Sequence, residues 1–221
     1  MRLLSELNGK AAPYTLEFLK PGIYPYFCAI HFEMRGTVTV LPASAKPTTQ
    51  AAVTRQAKAQ LARDVSELKR LNTTAPTGPR QMLVGAGTSG SAEIMSFFPN
   101  RLDINVGDTV TFVDNDPTDN HTVTFGPEEY TSAIEGSVFE YSGDSLVFNP
   151  FSALSSEPPD SLSPARYDGM NHGNGYLNSG LLYPPEIPDQ LHQFAVTFTK
   201  PGTYRLECVI HTLMDATIVV H

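Results

Sequence analysis

Two stretches of this chain are versions of one another. Residues 14–40, YTLEFLKPGIYPYFCAIHFEMRGTVTV, align without a gap to residues 194–220, FAVTFTKPGTYRLECVIHTLMDATIVV, so that Cys28 falls on Cys208 at an offset of 180. Lys-Pro-Gly-x-Tyr, then Cys-x-Ile-His-x-x-Met, then a β-branched run recur in that order. A repeat of this kind constrains the fold first, because both versions have to form the same supersecondary unit. The period-two alternation says which unit. Phe194, Val196 and Phe198 share a face, as do Tyr204, Leu206 and Cys208, and then Ala216, Ile218 and Val220. Each version reads as strand, Pro-Gly turn, strand, ligand-type loop, strand.

Around the second version, residues 81–221 read as a complete all-β domain. QMLVGAG, FFPNRLDINVGDTVTFVDND and HTVTFG alternate apolar and polar residues between Gly-Asp and Asp-Asn-Asp-Pro turns, as a sandwich of antiparallel strands requires. Within it, residues 126–190 are rich in Pro, Ser, Gly, Asn and Tyr and read as a long ordered insertion between strands.

Residues 42–80 read as a linker. Val53, Ala57, Leu61, Val65 and Leu68 fall three or four apart, Thr49 is placed as an N-cap, Arg63 faces Glu67, and Asn72 marks a stop. The spacing predicts one amphipathic helix over about 48–71, roughly 22 residues and about 33 Å long. It is expected to act as a spacer that packs its narrow apolar stripe on a neighbouring domain.

The first version is incomplete. Counterparts of residues 82–125 would lie upstream of Met1, and residues 13–41 alone supply two or three strands with unpaired edges. Residues 1–41 are therefore expected to be the C-terminal part of a first repeat in a longer tandem protein whose signal peptide and first half are absent. The alternative is that this segment adds its strands to the complete domain or to another subunit.

Charge and motifs narrow the function. A net charge of −8 with 15 scattered Lys and Arg residues argues against nucleic acid and for a basic protein partner. No apolar stretch is long enough to cross a bilayer. The six histidines, at 31, 121, 172, 192, 211 and 221, include no His-x-His pair of the kind trinuclear copper enzymes use. There is no Gly-x-Ser-x-Gly elbow, phosphate loop or HExxH either, so the chain is not expected to be an enzyme.

A thiolate, an imidazole and a thioether on one short loop suit a soft metal. Cys and Met favour Cu(I), and imidazole accepts Cu(II) as well. His121, in DPTDNHTVTF, is the candidate second nitrogen ligand, since it precedes an alternating strand in the domain that holds Cys208. A disulfide between Cys28 and Cys208 would leave the duplicated His and Met spacing unexplained, and zinc gains little from Met. A Cu(I) carrier or store shares the same ligands and stays open. His172, beside Met170, reads as a surface loop residue, and His192 and His221 as structural or solvated. Asp103, Asp108, Asp114 and Asp116 lack the rhythm of a calcium loop and read as turn residues.

The series GDTVTF, HTVTF and KPGTYRLECVIHTLM resembles the cupredoxins, or blue copper proteins, over most of residues 82–221. The resemblance implies a Greek-key β-sandwich carrying a mononuclear type 1 copper, one per chain, held by His121, Cys208, His211 and Met214. It further implies single-electron transfer between Cu(II) and Cu(I), transient docking of redox partner proteins near His211 and Leu213, and a periplasmic or extracellular setting. Cys28, His31 and Met34 would form an incomplete second site. Thr122 stands where many members have Asn, and its hydroxyl is expected to tie the two ligand segments together. Ala216 stands where such proteins often have Gly, which requires that the backbone there avoid positive φ. The runner-up reading is a copper storage or delivery module, and the third a fragment of a multicopper redox enzyme.

Overall fold

The fold is taken from a computed structural model, which describes residues 15–28, 31, 34–89, 92–142, 145–157 and 164–221. Two five-stranded sheets pack face to face. One runs β10 (Ala165–Tyr167), β12 (Gln193–Phe198), β6 (Thr109–Asp114), β3 (Gln81–Gly87), β4 (Glu93–Phe98). The other runs β11 (Leu177–Asn178), β7 (Thr124–Phe125), β13 (Gly202–Glu207), β14 (Asp215–Val220), β5 (Arg101–Ile104). The chain changes sheet between β4 and β5, β5 and β6, β6 and β7, β10 and β11, β11 and β12, and β12 and β13, and across the insertion from β7 to β10. These crossings make a Greek-key sandwich with both sheets sharing one core.

The alternation in sequence sets that core. Val110 and Phe112 of β6 and Phe194, Val196 and Phe198 of β12 face inward against Phe125, Leu206, Ala216 and Ile218, all of them buried. Rings of Phe125, Tyr167 and Phe198 meet at centroid distances of 4.7 to 5.8 Å. Close packing of this kind resists small displacements at the sheet ends, where the site lies.

Residues 126–190 are more than an excursion. They form α2 (Glu128–Glu135), a hairpin of β8 (Phe139–Ser142) and β9 (Ser145–Phe148), and α3 (Pro150–Ala153), then supply one edge strand to each sheet. β10 pairs in parallel with β12, and β11 pairs with β7, so the insertion covers edges that would otherwise be open.

β1 (Gly22–Phe27) and β2 (Arg35–Val40) form a separate two-stranded sheet. Its register is that of β13 with β14, residue for residue: Gly22 opposes Val40 as Gly202 opposes Val220, and Phe27 opposes Arg35 as Glu207 opposes Asp215. Tyr24 donates its hydroxyl to Lys20 O at 2.8 Å, and Tyr204 does the same to Lys200 O at 3.1 Å. Neither five-stranded sheet takes in the hairpin, so its strands do not extend the complete domain. Residues 15–19 form no strand, whereas β12 is held between β6 and β10. Residues 15–19 have no such flanking strands among the described residues.

α1 spans Gln50–Leu71, with Thr49 Oγ1 accepting from the Ala52 N–H at 3.3 Å and Lys69 and Arg70 at the negative end of the helix dipole. Glu67 pairs with Arg70 at 2.8 Å. Among the described residues only its last turn is buried. Leu71 is buried with Ala86 and Ala92 and against Ile94 and Phe98, while Val53, Leu61, Val65 and Leu68 remain exposed. The apolar stripe therefore does not lie on the sandwich, because the helix meets β4 by its C-terminal end. No helix of the described residues is long and apolar enough to cross a membrane.

Candidate metal centre

Two loops at one end of the sandwich meet. The first follows β6 and carries His121 into β7. Its backbone is clamped by the insertion: His121 N–H donates to Leu182 O at 3.0 Å, Leu182 N–H donates back at 2.7 Å, and Val123 N–H donates to Ser179 Oγ at 2.9 Å. The second loop joins β13 to β14. Cys208 N–H donates to Met214 O at 2.9 Å, and His211 N–H to Cys208 O at 3.3 Å, which draws the three ligand-type residues into one tight turn. Its left-handed residue is Leu213, at φ 65. Ala216 lies inside β14 without positive φ, so alanine is accommodated there.

Three ligand atoms converge. His121 Nδ1 is 3.0 Å from His211 Nδ1, and Cys208 Sγ is 3.5 Å from His211 Nδ1 and 4.0 Å from His121 Nδ1. Metal bonds of about 2.0 to 2.3 Å spread ligand atoms about 3.5 to 3.7 Å apart around one ion in a plane. The spacing found brackets that value, so the donor set fits a copper ion with small adjustment. His121 and Cys208 are buried, and the His211 side chain is 13% exposed. Met214 is buried in the same core, one residue before β14.

A second ring of groups orients the first. Thr122 N–H donates to Cys208 Sγ at 3.2 Å, and Thr122 Oγ1 accepts from Val209 N–H at 2.9 Å, so the hydroxyl does join the two ligand segments. His121 Nε2 lies 3.4 Å from Asp116 Oδ2, and His211 Nε2 lies 3.2 Å from Asp119 Oδ2. Each imidazole thus has a carboxylate to hold its Nε2 proton, which leaves Nδ1 for a metal. Behind His121 the backbone of β3 bulges at Gly85, φ +71, where a Cβ would collide with His121 Nε2.

The charges follow from burial and these bonds. Burial alone would push the Cys208 thiol up, but hydrogen bonds from His121 and His211 prevail and bring it down to about 5. Burial would lower His211, yet the Asp119 and Cys208 bonds raise it to about 9. Asp116 is held down at about 2, because hydrogen bonds from His121, Glu93 and Thr118 outweigh its burial. Glu93 is pushed up to about 7 by burial and by Asp116 beside it. His121 is raised well above its ordinary value: burial opposes this, and the Asp116 and Cys208 bonds overcome it.

Asp116, Asp119, Glu93 and Gly85 were not legible as site residues. Asp114 and Asp116 do make turn bonds, from Asp116 N–H to Asp114 Oδ1 and from Thr118 N–H to Asp116 Oδ1, both at 2.9 Å. Both are nevertheless buried, and Asp116 also orients His121, which corrects the reading of them as turn residues alone. The available signal was the acidic density of DNDPTDNH immediately before a ligand-type histidine. Asp103 pairs with Arg101, and Asp108 accepts from Asn105 N–H.

Of the remaining candidates, Cys28 Sγ lies 3.2 Å from His31 Nδ1, with Met34 exposed, and this trio lies outside the His121–Cys208–His211 grouping. Neither cysteine is in a disulfide. His172 pairs with Glu157 at 2.8 Å on the surface, His192 Nδ1 contacts Tyr183 O at 3.0 Å, and His221 contacts Asp103 at 3.2 Å.

Two mixed sheets with a buried His-Cys-His grouping at one end make this a cupredoxin-like β-sandwich. No family model matches the chain, and no curated protein does. Among solved structures, an amicyanin variant in its Cu(I) form is 17% identical over 68% of this chain and 89% of its own, with a TM-score of 0.36. A purple cupredoxin from Nitrosopumilus maritimus is 16% identical over 64% and 98%, at 0.35. Amicyanin from Paracoccus versutus is 17% identical over 66% and 85%, at 0.34. Superpositions this loose add nothing to the geometry above.

Proposed function

We propose that this protein is a single-electron carrier with one type 1 copper per chain, held by His121, Cys208, His211 and Met214. The observation that carries the reading is the convergence of two Nδ1 atoms and one Sγ within 3.0 to 4.0 Å, with the thiol held down at about 5. Bound there, copper would alternate between Cu(II) and Cu(I). The chain's own part is to keep the ligands still. Leu182 and Ser179 fix the His121 backbone, Thr122 fixes the Cys208 sulfur, and Asp116 and Asp119 fix both imidazoles, so that little has to move when charge changes.

His211 is the more exposed of the two imidazoles and sits beside Leu213, which is 96% exposed. A donor or acceptor protein docking there would meet the shortest path to the ligand set. A periplasmic or extracellular setting goes with the same reading. Cu(II) added to the protein should give an intense visible band that is lost in Cys208→Ser, with reversible voltammetry. A copper complex without that band, or one that cannot be cycled, would favour the storage reading instead.

A further inference from the structure

The two Cys-x-x-His-x-x-Met stretches share backbone hydrogen bonds at the described Cys, His and Met positions as well as a sequence. In the N-terminal loop Cys28 N–H donates to Met34 O at 2.7 Å and Met34 N–H to His31 O at 3.2 Å. In the other, Cys208 N–H donates to Met214 O at 2.9 Å and Met214 N–H to His211 O at 3.4 Å. The sulfur and the imidazole Nδ1 face each other in both, at 3.2 Å for Cys28 with His31 and 3.5 Å for Cys208 with His211. Both imidazoles also turn the opposite nitrogen to one carboxylate. Asp119 Oδ2 lies 3.2 Å from His211 Nε2 and 3.7 Å from His31 Nε2.

We infer that Cys28, His31 and Met34 bind a second ion, Cu(I), and that Asp119 is the shared outer carboxylate of both sites. Among the described residues no second imidazole joins Cys28 and His31. The set is one thiolate, one imidazole and one thioether, and such a soft set of low coordination number suits Cu(I) rather than Cu(II). A metal on Nδ1 leaves the proton on Nε2, and an acceptor there fixes the ring for binding. Asp119 Oδ2 faces both Nε2 atoms, within hydrogen-bond distance of His211 and at ion-pair distance from His31, so the two histidines meet at one carboxylate. The His31 side chain is 42% exposed, against 13% for His211, and Met34 is 62% exposed. The second ion is therefore the one open to exchange.

This inference concerns residues outside the proposed type 1 set, so the two can fail separately. The test is anaerobic titration of the reduced apoprotein with Cu(I) against a chromophoric Cu(I) chelator. Wild type is expected to retain two equivalents, the second lost at lower chelator concentration, and Cys28→Ser and His31→Gln to retain one. The visible Cu(II) band of Cys28→Ser should match that of wild type, which also shows that the variant is folded. Asp119→Asn should weaken both equivalents, each by about tenfold or more. A wild type that takes up a single equivalent, or a Cys28→Ser variant that keeps both, overturns the site. An Asp119→Asn variant that weakens only the tighter equivalent overturns the bridge. Loss of the second equivalent in Cys28→Ser in a protein with no visible band would sustain this inference and remove the type 1 reading.

Discussion

Thr122 holds Cys208 twice. Its N–H donates to the Cys208 sulfur at 3.2 Å, and its Oγ1 accepts the N–H of the next residue, Val209, at 2.9 Å. The same hydroxyl meets Thr124 Oγ1 at 3.1 Å, and every group involved is buried. Thr122→Val keeps the shape and the N–H to sulfur but strands the Val209 donor. It should cost about 1 to 3 kcal/mol. Thr122→Ser should retain most of that stability. Urea unfolding of the three proteins decides it, and equal midpoints for Val and Ser would remove the hydroxyl from the account.

Gly85 and Gly107 both have positive φ, +71 and +92, yet they differ in surroundings. A Cβ on Gly107 meets nothing within 4 Å, whereas one on Gly85 collides with His121 Nε2 and meets Asp116 Cβ at 2.9 Å. Gly107→Ala should therefore cost only the backbone strain, about 1 to 2 kcal/mol, with copper binding intact. Gly85→Ala should lose stability and also push His121 off its carboxylate, weakening copper binding by about 10 to 100-fold. Equal copper affinity in the two variants would contradict the placement of β3 behind His121.

What could be read in the sequence and what could not divide along a physical line. The Cys208, His211 and Met214 loop is legible because its ligands are three residues apart, and the strands are legible because Phe194, Val196 and Phe198 alternate. The chemistry of Asp116 and Asp119 is set through space, by which imidazole each one reaches, and spacing in the chain carries no sign of it. Gly85 hides for the same reason. The exposed stripe on α1 shows the reverse error: periodicity gives a helix and a face, but not a surface for that face to meet. Similarly, the turn-rich composition of residues 126–190 concealed β10 and β11, three and two residues long, too short to show a period.

Cys208 should titrate far from an ordinary thiol in the metal-free protein. Hydrogen bonds from His121 and His211 overcome its burial and place it at about 5. In a Cys28→Ser background, ultraviolet thiolate absorbance should rise through pH 5 and be complete by pH 7, against about 8.5 for an unperturbed cysteine. His211→Ala should move the midpoint upward by removing one of the two donors. A midpoint near 8.5 in the parent would mean that the sulfur is not paired with the imidazoles in solution.

Asp114 ends the inward face of β6, and its Oδ2 has no hydrogen-bond partner among the described residues. Burial pushes its carboxyl up to about 8 from an ordinary value near 4. Between those two pH values the folded protein keeps the proton and the unfolded chain has released it. The folded state therefore binds more protons, and this group lowers stability as pH rises, by up to about 1.4 kcal/mol per unit. Asp114→Asn retains the Oδ1 that accepts the Asp116 N–H and has no charge to bury. Wild type and Asp114→Asn should unfold alike near pH 4, and the variant should become progressively more stable up to pH 8. Urea midpoints measured at pH 5, 6.5 and 8 give the comparison, and a constant difference across that range would show that Asp114 is ionised within the fold.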